Sequence, residues 1–397
     1  MSAGALDGIR VLDLTSVVMG PMATQILGDL GADVITVESA TGDTNRAMGN
    51  GPHRYLSGVS LNLLRSKRNI AVDLKQPEGR DIILRLAATC DVFVTNLRPG
   101  PLSRLQLTYD DVAAVRPDVV YCQAQGFPSD SDRADDPAYD DIIQSASGVA
   151  DATQRTYGEP ALVPSIFADK VAGMTITYAI LAALVHRERT GEGQRIEVPM
   201  TEAVKAFMLV EHGAEAVPQP ALGPAGYARI LTRARRPQRT LDGWIGVLPY
   251  SKEQYDAIFT AGGRDDLLGD ERYATGRARI ANSDYLYEQV RGIIAQRTTA
   301  EWLEFCKENS IPATRLVTLE EIVAEQPIAE HPVVGAYRQV RPGARLTGTP
   351  MQASRPAPLP GQHNHEVLDE LGYSADDIDA LSKRGVLRHS TTASEGR

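Results

Sequence analysis

Cysteine is scarce in this 397-residue chain. The three present, Cys90, Cys122 and Cys306, lie far apart and form no CxxC pair. This excludes a disulfide framework and a thiolate metal site, and makes a reducing cytoplasm the expected compartment. Basic charge is also short. Lys and Arg number 41 against 51 Asp and Glu, a net charge of −10. That argues against a dedicated nucleic-acid binder, because phosphate contacts need a basic face. Long apolar runs are missing too. The longest, residues 171–185, falls below the roughly 18 residues of a membrane span. It is interrupted by Gly173, Thr175 and Thr177, so it reads as a buried core helix with no membrane partner. The opening "MSAGALDGIRVLDL" has no basic stretch before a long apolar one, so no signal peptide is expected. Several motifs are absent as well: GxGxxG after the first strand pattern, GxxxxGK[ST], HExxH and GxSxG. Glu38 ends the second strand pattern, where a dinucleotide-binding domain places an acidic residue on the ribose, but the glycines that would give it meaning are not there.

What is present is an ordinary globular balance. Hydrophobic residues make up 43% and charged ones 23%, enough for a large core and two or three domains. The N-terminal half alternates strand and helix patterns. "IRVLDL" (9–14) and "DVITVE" (33–38) read as strands around the helical "MATQILGDLGA", which starts near Pro21. "NIAVDL" (69–74) reads as a strand, "PEGRDIILRLAATC" (77–90) as a helix, and "DVFVTNL", "DVVYCQAQGF" and "QRIEVPM" (194–200) as strands. Repeated βα units predict an α/β fold with a mainly parallel sheet and helices on both faces. "GAEAVPQPALGPAG" (213–226) reads as a linker, followed by a smaller α+β domain over roughly 227–325. Residues 341–362, rich in Pro and Gly, are expected to be extended, with two short helices after them and a disordered tail from Ser390.

Candidate chemistry is sparse. His363 and His365 in "HNHE" lack a third ligand, so no metal site is expected. Basic residues cluster at Arg65, Lys67 and Arg68, at Arg98 and Arg104, and at 229–239. Each cluster could hold phosphates, although composition alone favours a solvated face or subunit contact. Asp169 stands at the mouth of the long apolar helix. It is placed to cap that helix, and also to be a carboxylate nucleophile toward an activated acyl group.

The motifs together resemble a known family. "LDGIRVLDLTSVVMGPMATQILGDLGADVITVE", "SKRNIAVDLKQPEGRDIILRL", "DVFVTNLRPGPLSRL", "AYDDIIQSASG", "ADKVAGMTITYAILAALVHRERTGEGQRIEVPM" and "PLPGQHNHEVLDELGY" resemble, in order, the class III CoA-transferases. That group includes formyl-CoA transferase, carnitine CoA-transferases and α-methylacyl-CoA racemases. The resemblance implies a Rossmann-like large domain built from both chain ends (1–200 and 340–390) and a small domain (227–325). It further implies that linkers, placed at 201–226 and 326–339, make each subunit an open ring in an interlocked homodimer. Asp169 matches the family's catalytic aspartate, which attacks an acyl-CoA and passes through mixed anhydrides and an aspartyl-CoA thioester. Coenzyme A, as acyl-CoA substrate, is expected at Asn96, Arg98 and Arg104, with Lys75 and Arg68. Val18, Gly20, Tyr139 and Asp140 are expected at the substrate pocket, with the Gly20–Pro21 turn letting backbone approach the cofactor. The racemases place a histidine where Tyr139 stands, so transfer of CoA to a carboxylic acid is expected over α-carbon racemisation. Asp140 or Asp141 would be the second base in the racemase alternative, and a CoA-binding member without turnover is a third reading. Val18 replaces a glutamine of the formyl-CoA branch, and Pro137 a lysine near the CoA. The glycine-rich lid of that branch has no clear counterpart, which points to a less polar acyl pocket.

Overall fold

A computed structural model describes residues 4–39 and 41–388 of the chain. Short apolar runs bounded by turns form six strands: β1 (Arg10–Leu14), β2 (Asp33–Glu38), β3 (Lys67–Ala71), β4 (Val92–Thr95), β5 (Val120–Gln125) and β6 (Gln194–Pro199). They make one sheet in the order β3-β2-β1-β4-β5-β6, with every pairing parallel. The α/β expectation is met by this sheet, and β2 falls at 33–38 as read. The strand order reverses between β1 and β4, which opens a crevice beyond the carboxyl ends of those strands.

β3 departs from the sequence reading. It runs 67–71 and not 69–74, because its polar first residues are compensated inside the protein. Lys67 donates to Asp13, Asn69 to Glu38, and Arg68 pairs with Asp33, Glu366 and Glu370. Apolar periodicity cannot detect a strand whose start is buried by ion pairing. The C-terminal segment returns to this edge of the sheet. Val72 bridges Leu387, the Arg388 amide donates to the Ala71 carbonyl, and the Ala71 amide donates to Asn364 Oδ1. The helices Asn364–Glu370 and Ala375–Lys383 follow the Pro-rich 341–362, which holds no helix or strand. Ala357 and Leu359 of that stretch are buried against Leu56, Leu61 and Leu64. The tail from Ser390 lies outside the described residues.

The chain divides into two compact units. One comprises 1–147, 163–207 and 326–397, and holds the six-stranded sheet. The other comprises 148–162 and 208–325. It has a three-stranded antiparallel sheet, β7 (Gln238–Arg239), β8 (Trp244–Val247) and β9 (Ala313–Arg315), and a core around Trp302, Phe259, Tyr273 and Ile294. Two stretches read as linkers carry structure: 201–226 opens within the helix Met200–His212, and 326–339 forms a hairpin, β10 (Ile328–His331) with β11 (Gly335–Arg338).

The apolar run at 171–185 belongs to a longer helix, Phe167–Thr190, of 24 residues. By length and composition this helix could cross a membrane. Its buried face, including Val171, Ala172, Ile176 and Ile180, is that of a core helix. It lies against β5, β6 and α1 (Met19–Asp29).

Among the described residues of the sheet unit, three ion pairs have both partners buried: Lys67–Asp13, Arg65–Asp29 and Arg46–Glu38. Glu38 accepts from Arg46 Nε at 2.7 Å, Asn69 Nδ2 at 2.6 Å and the Asp43 amide at 2.8 Å. It is therefore a structural acid and not a ribose ligand. Removing one partner of a buried pair strands the other charge. Arg46→Ala is expected to destabilise the chain by about 3–5 kcal/mol, measured by chemical denaturation, with Glu38→Gln recovering part of the loss in the double variant.

Candidate functional site

The crevice at the strand reversal holds a cavity of about 170 Å³. Each nearby strand contributes to it from just past its carboxyl end. Ser16, Val17 and Met19 follow β1, Asn96 and Arg98 follow β4, Gln125 and Gly126 close β5, and Met200 follows β6. The loop before the helix Asp140–Ala146 adds Asp136, Pro137, Ala138 and Tyr139. Asp169 completes the lining.

Asp169 does not cap its helix. Ile166 is the N-cap, without a side-chain hydrogen bond, and Asp169 sits in the first turn. Its amide donates to Asp140 Oδ1 at 3.1 Å, so the neighbouring acid performs the capping. Asp140 Oδ2 accepts from Gln144 Nε2 at 2.6 Å, and Gln144 Oε1 accepts from the Val163 amide at 2.9 Å. Asp140 is thus held by its own helix and aimed at the first turn of the helix Phe167–Thr190. Asp169 itself is 7% exposed, and no described residue donates a hydrogen bond to its carboxylate. Burial, reinforced by the charge of Asp140, pushes its pKa up to about 7. A buried carboxylate with free lone pairs, facing a cavity, is poised to accept a proton or attack an electrophile.

The other expected site residues separate. Tyr139 lines the cavity and is well exposed. Arg98 lines it and donates from Nη1 to the Asp135 carbonyl at 2.6 Å. Asn96 lines it with both amide ends engaged: Oδ1 accepts from the Ser16 amide at 3.0 Å, and Nδ2 donates to the Ser16 carbonyl at 2.9 Å. It fixes a loop. Lys75 and Arg104 are exposed and lie outside the lining. Arg68 is not brought to this cavity; its guanidinium is buried at the opposite end of the sheet among Asp33, Glu366 and Glu370.

Val18 and Gly20 also stand apart from the lining, which takes their neighbours Val17 and Met19. Val18 is 4% exposed. Gly20 does not open a face to a cofactor: a Cβ there would meet the Thr15 side chain at 2.2 Å. Its smallness lets the β1 loop fold over α1. Gly173, one turn beyond Asp169, plays the matching part, since a Cβ there would lie 2.8 Å from the Met19 carbonyl. Val17, Gln125 and Met200 are lining residues that sequence reasoning missed. Gln125 and Met200 were legible in principle, as the residues at or just after strand ends. Among the described residues no group of three metal-ligating side chains occurs. His363 instead accepts the Asn69 amide at Nδ1.

Over nearly its whole length the chain is similar to known proteins. The family model of CoA-transferase family III matches residues 6–364. The succinyl-CoA:glutarate CoA-transferase of Mus musculus is 31% identical, over 98% of this chain and 91% of that protein. The succinate–glutarate CoA-transferase of Agrobacterium fabrum is 33% identical, over 92% of this chain and 95% of its own length. Among solved structures, Rv3272 of Mycobacterium tuberculosis superposes with a TM-score of 0.78 at 28% identity, covering 92% of this chain and 99% of that one. A CAIB/BAIF family protein of Brucella suis has a TM-score of 0.78 at 27% identity, covering 94% of this chain and 100% of its own.

The raised pKa of Asp169 has a measurable consequence for stability. The folded protein holds a proton there that the unfolded chain has lost above about pH 4. The associated stability is complete below the ordinary carboxyl pKa of 3.8 and is lost as pH rises through about 7. Asp169→Asn is expected to be more stable than the parent at pH 8, by on the order of a few kcal/mol, with the gain shrinking toward pH 4. Thermal melting of both proteins across that range measures it.

Proposed function

The chain belongs to CoA-transferase family III, and from that premise we propose that it moves coenzyme A from an acyl-CoA donor to a carboxylic acid acceptor through Asp169. The observation that carries this reading is the buried, undonated carboxylate facing the cavity. Its oxygen attacks the thioester carbonyl, the C–S bond breaks, and CoA thiolate leaves a mixed anhydride. The thiolate attacks the aspartyl carbonyl, the anhydride C–O bond breaks, and the donor acid departs. An acceptor carboxylate then attacks the aspartyl-CoA thioester and releases thiolate again. Thiolate attack on the acceptor's carbonyl forms the new acyl-CoA and frees Asp169. Atoms and charge balance without water, and each step exchanges one acyl group.

Arg98 and Arg104 are proposed to meet the phosphates of coenzyme A, with Lys75 at the solvent side. Their guanidinium forks suit that charge. Arg68 is committed to three acids, and Asn96 serves through the loop it holds. The cavity mixes apolar residues, Val17, Met19, Ala138 and Met200, with polar ones, Ser16, Asn96, Arg98 and Gln125, a more polar lining than the acyl pocket expected from the sequence. Both carboxylate oxygens of Asp140 are engaged, and this weighs against Asp140 as the second base of a racemase. The chain is proposed to act as a homodimer of interlocked open rings, and in the cytoplasm. The exposed Met174, Tyr178 and Val185 on one stripe of the helix Phe167–Thr190 support a protein partner there. The three cysteines, all free and buried, fit a reducing compartment.

Incubation with succinyl-CoA or acetyl-CoA and a panel of carboxylic acids is expected to exchange CoA. Hydroxylamine is expected to trap the enzyme at Asp169. Asp169→Ala is expected to lower kcat by at least about 10⁴-fold while leaving CoA binding within severalfold, and retained transfer in that variant overturns the proposal. Activity in the parent is expected to rise with pH through about 7 as the carboxylate ionises. Solvent deuterium at the α-carbon of a 2-methylacyl-CoA without CoA exchange would identify the racemase instead. Tight CoA binding without any exchange would identify a binding protein.

A further inference from the structure

Val17 lines the cavity beside Asp169 with a φ of 70°. Five described residues other than glycine have positive φ, and Val17 is the only β-branched one among them. For a β-branched side chain this is a true conformational outlier, because Cβ crowds the following carbonyl. Such a backbone persists only where its surroundings over-determine it.

The surroundings do so through side chains. The Val17 amide donates to both carboxylate oxygens of Asp43, at 3.1 and 3.2 Å. The Val17 carbonyl accepts from Asn45 Nδ2 at 3.2 Å. The preceding residue is held in the same way, since Asn96 takes both the amide and the carbonyl of Ser16. Four successive backbone groups are thus gripped by side chains of three residues. Asp43 is itself anchored: its amide donates to Glu38, and its carboxylate also caps the Asn45 amide at 2.7 Å. Asn45 is fully buried and leaves its Oδ1 without a hydrogen-bond partner. A buried orphan oxygen is unfavourable, and here it accompanies the one bond that fixes the Val17 carbonyl.

Val17 leads directly into α1, whose Met19 carbonyl abuts Gly173, one turn from Asp169. A flip of Val17 out of the left-handed region would withdraw its side chain from the wall and disturb that contact. We propose that Asp43 and Asn45 are positioning residues that hold Val17 left-handed, so the cavity wall beside Asp169 is set before an acyl group enters. This rests on the reading of the cavity as the CoA-transfer site.

The test uses the full chain and compares Asp43→Ala, Asp43→Asn and Val17→Gly. Hydrogen exchange of peptides spanning 14–20 is expected to quicken at least tenfold in Asp43→Ala. CoA transfer should lose at least tenfold in kcat/KM, carried by kcat, with the dissociation constant for CoA within threefold. Asp43→Asn, which keeps an acceptor oxygen, should stay within threefold of the parent. Glycine adopts positive φ without crowding. In a Val17→Gly background, Asp43→Ala should therefore lose clearly less than in the parent, and this comparison still decides the matter should Asp43→Ala alone fold poorly. Unchanged exchange at 14–20, or an equal loss in both backgrounds, overturns the clamp. Absence of any CoA transfer in the parent overturns the transferase reading, while the exchange measurement still decides the clamp.

Discussion

One buried cation underlies the crevice. The Lys67 ammonium donates to Asp13 Oδ2 at 3.1 Å, Thr24 Oγ1 at 2.7 Å and the Pro21 carbonyl at 2.9 Å. All three of its protons are used, so its desolvation is compensated. Asp13 is equally saturated, accepting from the Thr15 amide and hydroxyl and from the Thr24 and Thr36 hydroxyls. This hub joins β3, β1, β2 and the first turn of α1. Its Thr15 arm reaches the start of the loop whose Ser16 and Val17 are held by Asn96, Asp43 and Asn45.

An undonated acid is kept beside the cavity because its polar neighbours are engaged elsewhere. A buried carboxylate without partners is unfavourable, and its environment must be prevented from relaxing toward it. Asp140 is turned toward the Asp169 amide by Gln144, and Arg98 is drawn to the Asp135 carbonyl. Arg98 is therefore not spent on neutralising Asp169, and Asp140, itself an acid, only raises its pKa. The stability lost at that residue is the counterpart of its reactivity.

The sheet was legible because apolar runs of fixed length, bounded by Gly and Pro, report parallel buried strands directly. β2 and β6 fall almost where the pattern put them. β3 was misplaced because Lys67, Arg68 and Asn69 are buried by partners distant in sequence, which no local pattern reveals. The same blindness affected the site. Asp169, at the mouth of an apolar helix, and Arg98, in a basic cluster, were visible in the local sequence, Tyr139 only through the family resemblance, and all three line the cavity. Arg68 was assigned to a phosphate, yet its charge is consumed by Asp33, Glu366 and Glu370. Gly20 and Val18 were one residue away from the true lining, since the left-handed turn at Val17 decides which side chains face inward. A backbone dihedral at a valine leaves no mark in composition or periodicity.

The elevated basicity of Asp169 bears on where the proposed reaction pauses. In the anhydride with the donor, thiolate attack expels whichever carboxylate is the weaker base. A donor acid of ordinary strength leaves more readily than a residue whose proton affinity is raised to about 7. On the proposed mechanism this preference would favour the enzyme-bound thioester in the first half and oppose release of Asp169 from the acceptor anhydride in the second, which makes the covalent CoA adduct the expected point of pausing.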